Sequence, residues 1–419
     1  MYWTVIIVAI IVGFWLLDLI IEMLDSKSMV TELPEKLKGI YDDEKYEKSQ
    51  AYGSEKTRFG LIQATLSMII MLLMIFLGGF NWVDQIAIQV TDNDILRGLI
   101  FGAILMVGSS LVSLPFSYYN TFVIEEKYGF NKSTLKIFIM DIIKGAILGA
   151  IIFALLFSII IWFFSTDKIP MAWLWAWGAI TAIQLLMMYL VPVVLLPIFN
   201  KFEELEDCEL KDAILAYAKK ENFKLGGIFK MDGSKRSSKA NAFFTGFGKF
   251  KRIVLFDTLI EKHTVNELVL VLAHEMGHFK LKHILKHLII MILSTGLMFF
   301  CFDLLIGNEG LFAAFRMEHI SVYASLIFIM VLFEPITFVI GIFTNMMSRK
   351  FEYEADAYAA KTCDGGDDLI TALKNLTADN LGNLTPHPLK VFLEYSHPTL
   401  LQRWESLENA GLLNNTDTA

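Results

Sequence analysis

The sequence predicts a mainly α-helical polytopic membrane protein with a small α+β part outside the lipid. Three observations predict it. Hydrophobic residues make up 55% of the 419 positions, above the roughly 45–50% of soluble domains, and mean hydropathy is +0.53. Charged residues fall to 19%. Seven apolar stretches each supply the roughly 20 helical residues that a bilayer core requires. So much apolar surface excludes intrinsic disorder. The net charge of −8 excludes nucleic acid as the main partner, because neutralising phosphates takes a basic surface. Cys208, Cys301 and Cys363 are odd in number and lack metal-type spacing, so no disulfide framework is expected.

The spans fall near 2–24, 59–80, 98–119, 145–164, 172–196, 284–306 and 322–346. The first is too long for a signal peptide, lacks a basic start and ends with Asp18 and Glu22; it reads as a retained span. Seven Lys/Arg lie between spans one and two, from Lys27 to Arg58. The second, fourth and sixth loops carry only Arg97, Lys168 and Arg316, whereas the third carries Lys127, Lys132, Lys136 and Lys144. By the positive-inside rule the N-terminus is outside and the C-terminus cytoplasmic. This divides the chain into a five-helix membrane region (1–197), a cytoplasmic-side part (198–283), two further spans (284–346) and a C-terminal part (347–419). In the second of these, 210–220 reads as a helix. Segments 227–232, 240–246 and 251–256 read as short strands punctuated by Gly233, Gly246 and Gly248.

The strongest local signal is His274-Glu275-Met276-Gly277-His278. Thr264 and Glu267 form a capping-box pattern, so a helix is expected from 265. On it the two imidazoles sit one turn apart on one face, as a divalent metal requires. Glu275 stands beside them, where a carboxylate can take the proton of a zinc-activated water. A chance pair in a juxtamembrane helix is the competing reading, since His283 and His287 repeat the spacing. A third donor is needed. Downstream, Glu352 and Asp356 share a helix face, with Glu354 turned elsewhere if the helix is continuous. One of the pair could bind metal while the other orients a ligating histidine. Spacing does not assign the roles, and a solvated acidic face has the same pattern.

Further marks follow one order along the chain: Pro115-Phe-Ser-Tyr-Tyr, Thr121 to Asn131, Met231 to Ser238, Asn241-Ala242-Phe243, Arg252 to Leu259, the His274 motif, Phe351 to Ala357, and Ser396-His397-Pro398. With them the chain resembles, nearly end to end, the Ste24-type CAAX prenyl protease 1 family, membrane zinc metalloproteases of peptidase family M48. The resemblance implies a chamber enclosed by the seven spans, a cytoplasmic-side zinc metalloprotease domain and one Zn2+ per chain. It implies Glu352 as third ligand beside His274 and His278, Asp356 as the partner behind a ligand, and Glu275 as general base. It further implies His397 as the oxyanion donor, Arg403 as support for the acidic cluster, and Asn241 and Ala242 on an edge strand that pairs with substrate backbone. The substrate would be a peptide or protein carrying an isoprenoid on a cysteine, losing its last three residues. Lys239-Ala240 stands where relatives often have His-Ser, Glu354 where many have Gln, and Thr399 where Pro is common.

Two alternatives are weighed. One is an HtpX-like quality-control protease without prenyl specificity, separable by comparing farnesylated and unlipidated peptides. The other is a polytopic transporter with incidental histidines, which predicts no stoichiometric zinc and needs broken midplane helices, for which only Pro115, Pro192, Pro197 and Pro335 speak. A site-2-type intramembrane protease fits worse, because Asp232-Gly233 lies upstream of the motif. The polar tail Asn414–Ala419, without a dilysine pattern, points to a bacterial cell membrane, with the endoplasmic reticulum as the eukaryotic equivalent.

The remaining polar residues carry lesser expectations. Asp141 and Lys144 should pair at the lipid margin. Asp18, Glu22, Asp303 and Glu334 should face protein or a hydrated cavity. His263, His319 and His387 are expected at the surface or in loops. His283 and His287 should pack beside the zinc helix, Trp173, Trp175 and Trp177 should form an interfacial belt, and Cys301 should be ordinary packing.

Overall fold

The computed structural model describes residues 2–29, 33–166, 169–245, 252–363 and 365–413. Lys168, Gly246, Gly248, Lys251 and the tail 414–419 lie outside them. From the N-terminus the helices are α1 (Tyr2–Ser28), α2 (Asp43–Phe76), α3 (Gly79–Val90), α4 (Asp94–Tyr119), α5 (Leu135–Phe164), α6 (Ala172–Leu190) and α7 (Leu196–Phe199). π-helical turns at Asn120–Glu125 and Val191–Leu195 extend α4 and α6. The chain continues through β1 (Phe202–Glu204), α8 (Glu209–Lys220), β2 (Gly227–Met231), β3 (Ala242–Thr245) and β4 (Arg252–Phe256). It ends with α9 (Asp257–Lys262), α10 (Val265–Lys280), α11 (His283–Leu305), α12 (Glu309–Ala314), α13 (Val322–Thr362), α14 (Asp367–Asp379), α15 (Pro388–Glu394) and α16 (Leu400–Asn409).

Among the described residues, seven helices are long and apolar enough to cross a membrane: α1, α2, α4 and α6 with their π extensions, α5, α11 and α13. Their outward faces remain bare. Ile147, Ile151 and Leu155 recur every turn along α5 with 58%, 62% and 52% of their surface exposed. Such a stripe is stable in lipid and a liability in water. Inside, Ile7, Phe101, Ile161, Phe302, Tyr323 and Phe328 join α1, α4, α5, α11 and α13 in one apolar cluster.

The strands form one sheet in the order β1-β2-β4-β3, with β2 and β4 parallel and the two outer pairs antiparallel. Ile228, Ile253 and Leu255 from the sheet pack with Ile214 of α8 and Leu268 and Leu272 of α10. On its other side α10 buries Leu270, Ala273 and Met276 against Ala359 and Ala360 of α13. Each of the leucine, isoleucine and methionine side chains contributes about 1.5–3 kcal/mol on burial, and the alanines let the helices approach. Together they fix the rotation of α10, and with it the direction in which its histidines point.

One expectation needs correcting. Asp141 does not pair with Lys144: its oxygens receive Arg236 Nε and Nη2 at 2.7 and 2.9 Å, while Lys144 Nζ reaches the Ile198 carbonyl at 2.8 Å. A guanidinium matches a carboxylate with two parallel bonds, which a single ammonium does not. His263 lies in the loop between α9 and α10, as expected, and is buried there, its Nδ1 3.1 Å from the Glu267 carboxylate at the start of α10. In the tryptophan run, Trp177 is half-buried and donates to the Ile292 carbonyl of α11 at 2.9 Å. Trp175, 60% exposed, is the tryptophan of that run that faces outward.

Candidate metal centre

The centre is built where α10 crosses α13. Thr264 caps α10, and both halves of its capping box with Glu267 are formed, a device worth roughly 1 kcal/mol. Glu267 also holds His263 and Asn375, which ties the start of the helix to α14. One turn apart on α10, His274 and His278 bring their Nε2 atoms to 3.1 Å from each other. From α13, Glu352 and Asp356 face them, 4% and 1% exposed. Gly277 permits the approach: a Cβ there would lie 3.2 Å from the Ala355 Cα.

Glu352 Oε1 is 3.2 Å from His278 Nε2, and its Oε2 is 3.4 Å from His274 Nε2. The donor atoms of His274, His278 and Glu352 all lie within 4.8 Å of one another. Glu352 Oε2 is buried without a hydrogen-bond partner. Asp356 Oδ1 sits 2.8 Å from His274 Nδ1, so that nitrogen carries the proton and the Nε2 lone pair turns into the cluster. Converging lone pairs on two imidazoles and a carboxylate call for a cation at their centre. Two nitrogens, one carboxylate oxygen and an open side match the donor set of catalytic zinc sites.

Electrostatics shows how strongly negative this pocket is. Burial disfavours charge on His274, yet the Asp356 and Glu352 carboxylates outweigh it and raise its pKa to about 9. Arg403, on α16, sends Nε to Asp356 Oδ2 at 2.7 Å and Nη2 to Oδ1, with Nη1 3.6 Å from Glu352 Oε2. Its burial opposes the charge, and Asp356 restores it and raises the pKa further. A capping box between Thr399 and Gln402 starts α16 and aims Arg403 at the cluster.

The other expected residues divide. His397 stands at the rim, its side chain 65% exposed, with Nε2 3.4 Å from Glu352 Oε1 and Nδ1 2.9 Å from Ser396 Oγ. Glu275 is half-buried on α10, near enough for its charge to reinforce that of Arg403. Asn241 and Ala242 are not in the cluster. Ala242 opens β3, the end strand beside β4, and Asn241 precedes it, its Oδ1 accepting the Ala242 N–H at 2.8 Å.

His283, expected only to pack beside α10, also reaches a histidine of the cluster, and Glu354 reaches His283. His283 is 1% exposed, with Nδ1 3.0 Å from His278 Nδ1 and Nε2 3.0 Å from Glu354 Oε2. Its signal is faint, because Lys282 turns left-handed (φ +59°) between α10 and α11 and breaks the helical spacing.

Comparison with known proteins adds the following. Residues 23–201 match the family described as "CAAX prenyl protease N-terminal, five membrane helices", and residues 204–410 match "Peptidase family M48". A CAAX prenyl protease 1 homolog of Oryza sativa subsp. japonica is 36% identical over 386 residues, 90% of each chain. CAAX prenyl protease 1 of Saccharomyces cerevisiae is 34% identical over 410 residues, 91% of this chain and 90% of its own. The crystal structure of S. mikatae Ste24p superposes with a TM-score of 0.91 at 33% identity, covering 97% of this chain and 99% of that one.

Proposed function

This chain belongs to the CAAX prenyl protease 1 family of peptidase family M48, and on that premise we propose that it is a zinc endopeptidase of the membrane that removes the last three residues from isoprenylated peptides or proteins. The observation that carries the proposal is the convergence of His274, His278 and Glu352 from two crossing helices, with Glu275 on the same helix as the imidazoles. A transporter with incidental histidines does not accord with that family.

In this reading 1–197 and 284–346 lie in the bilayer around a chamber. Segments 198–283 and 347–419 make up a cytoplasmic-side α+β peptidase part, with the N-terminus outside. His274, His278 and Glu352 hold one zinc ion, which supplies a Lewis acid for the scissile carbonyl and lowers the pKa of water. The Glu275 carboxylate takes the proton of the attacking water and delivers it to the departing amine. His397, exposed at the rim, donates to the oxygen on which negative charge develops. Asp356 keeps His274 in the tautomer that frees Nε2, and Arg403 keeps Asp356 ionised. Asn241 and Ala242, at the end strand, bond the backbone of an extended substrate and set its register.

Glu275→Gln tests this directly. The variant should retain one zinc per chain by metal analysis while cleavage of a farnesylated CAAX peptide falls by at least about 10²-fold. Full activity in that variant refutes the assignment. The farnesylated peptide should be cleaved faster than its unlipidated twin by the wild-type protein, and equal rates count against the prenyl specificity.

A further inference from the structure

The second ligating histidine has no carboxylate behind it, unlike the first. Asp356 lies directly against His274 Nδ1, but the atom facing His278 Nδ1 is a nitrogen, His283 Nδ1, 3.0 Å away. Two nitrogens at that distance bond only if one carries the hydrogen and the other the lone pair. His283 Nε2 is in turn 3.0 Å from Glu354 Oε2, an oxygen that only accepts when ionised. His283 Nε2 therefore carries the proton toward Glu354. Its Nδ1 is left as an acceptor, and His278 must donate from its own Nδ1. The His278 Nε2 lone pair then points at Glu352 Oε1, 3.2 Å away, in the metal cluster. Every tautomer in the row is assigned by one carboxylate at its end.

We infer that Glu354, His283 and His278 form a relay in which a carboxylate orients a metal ligand through an intervening imidazole, making His283 and Glu354 positioning residues for the zinc site. The inference rests on the zinc reading above. Oriented N–H bonds of this kind fix the ring of a metal-bound histidine and raise its basicity. His283 is 1% exposed. Its ring lies flat on Phe351, the residue before Glu352, with centroids 4.0 Å apart and planes within 3°. The left-handed Lys282 folds the start of α11 back against the end of α10, which delivers His283 to that position. Glu354, turned away from the face that carries Glu352 and Asp356, is thereby given a part in the site.

A purely packing role for His283 makes the opposite prediction, and two substitutions separate the two. His283→Phe keeps a ring on Phe351 and removes the acceptor; His283→Asn discards the ring but puts an amide oxygen near the place of Nδ1. Zinc affinity of the full-length protein in detergent is measured by competition with a chromogenic chelator. The relay predicts that His283→Phe binds zinc about 10–100-fold more weakly than wild type, and that His283→Asn recovers most of the loss. It predicts an intermediate loss for Glu354→Ala. Wild-type affinity in His283→Phe, or a weaker site in His283→Asn than in His283→Phe, overturns it. Should His283→Phe not fold, the partly exposed Glu354→Ala decides: unchanged affinity there overturns the relay. A wild-type protein that takes up no stoichiometric zinc sinks the zinc reading itself, a result distinct from any of these.

Discussion

Asp356 serves two neighbours at once, taking the Nδ1 proton of His274 on one oxygen and binding Arg403 with both. Only 1% of the residue is exposed, and Arg403 beside it is 8% exposed. Water cannot replace a missing partner there. Asp356→Asn keeps the shape and removes the charge, leaving the guanidinium buried against a neutral amide. Loss of one member of a buried pair costs about 3–5 kcal/mol, and a perturbed metal partner costs about 10–100-fold in affinity. The variant should melt earlier and hold zinc more weakly in parallel; an unchanged melting curve and zinc titration would mean that Asp356 supports neither neighbour. At this scale much of the site was legible. His274 and His278 follow from i,i+4 spacing, and so do Glu352 and Asp356 as a pair. Spacing leaves their division of labour open, because both occupy one helix face, and only the family resemblance assigned it. What separates them is which nitrogen of His274 each meets, Nε2 for Glu352 and Nδ1 for Asp356.

The helices α10 and α13 make the site by their closeness, and Gly277 sets the limit of that closeness. The backbone of α13 gives it no room, with the Ala355 Cα and carbonyl oxygen at 3.2 and 3.3 Å from where a Cβ would stand. A larger side chain has to push α13 away, and Glu352 and Asp356 move with it. Gly277→Leu should therefore cost about 1–3 kcal/mol in stability and weaken zinc binding more than its effect on unfolding accounts for. A variant that melts lower yet binds zinc as before would mean that the crossing tolerates the shift. The acidic segment reaches this crossing because α13 runs unbroken for 41 residues, about 60 Å at 1.5 Å per residue. Hydropathy marks only its lipid-immersed part and so ended the span near 346. The rest is a soluble helix whose buried face, Phe351, Glu352, Ala355, Asp356 and Ala359, mixes apolar and charged residues. In the same way α2 begins at Asp43, capped by Asp42 accepting the Lys45 N–H at 2.7 Å, well before its apolar half. The π turns after α4 and α6 follow Pro115 and contain Pro192; proline marks an irregularity in a helix but does not say which kind.

At the scale of the whole molecule, ion pairs far apart in sequence fasten the peptidase elements to the long helices. Lys390 of α15 bonds Glu22 and Asp25 at the end of α1, at 2.7 and 3.2 Å. Lys239, just before β3, meets Glu125 at 3.1 Å, while Tyr52 of α2 donates to the same carboxylate at 2.7 Å. Arg236 joins Asp141 of α5, Asn200 and the Phe199 carbonyl. None of these partners could be matched from sequence, because charge complementarity without a fold leaves every acid open to every base; the expected Asp141–Lys144 pair failed for that reason. The Arg236 contact is the one whose loss should be felt most at the end strand. It anchors the loop that runs from β2 to β3, which is also held by Lys132 N–H to the Arg236 carbonyl and by Ser238 N–H to the Phe130 carbonyl. Arg236→Met keeps the aliphatic stem and strips four acceptors of a charged donor, two of them on Asp141, whose side chain is only 26% exposed. Hydrogen bonds to charged groups contribute about 1.5–3 kcal/mol, so the loop should open more often while α10, packed independently against the sheet and α13, stays closed. Hydrogen exchange should accelerate across 232–245 with protection of 268–277 retained, and the Michaelis constant for a CAAX peptide should rise while zinc content stays at wild-type level. Uniformly faster exchange, reaching α10 as well, would show instead that this one guanidinium stabilises the entire fold, and unchanged exchange would show that the two backbone bonds hold the loop without it.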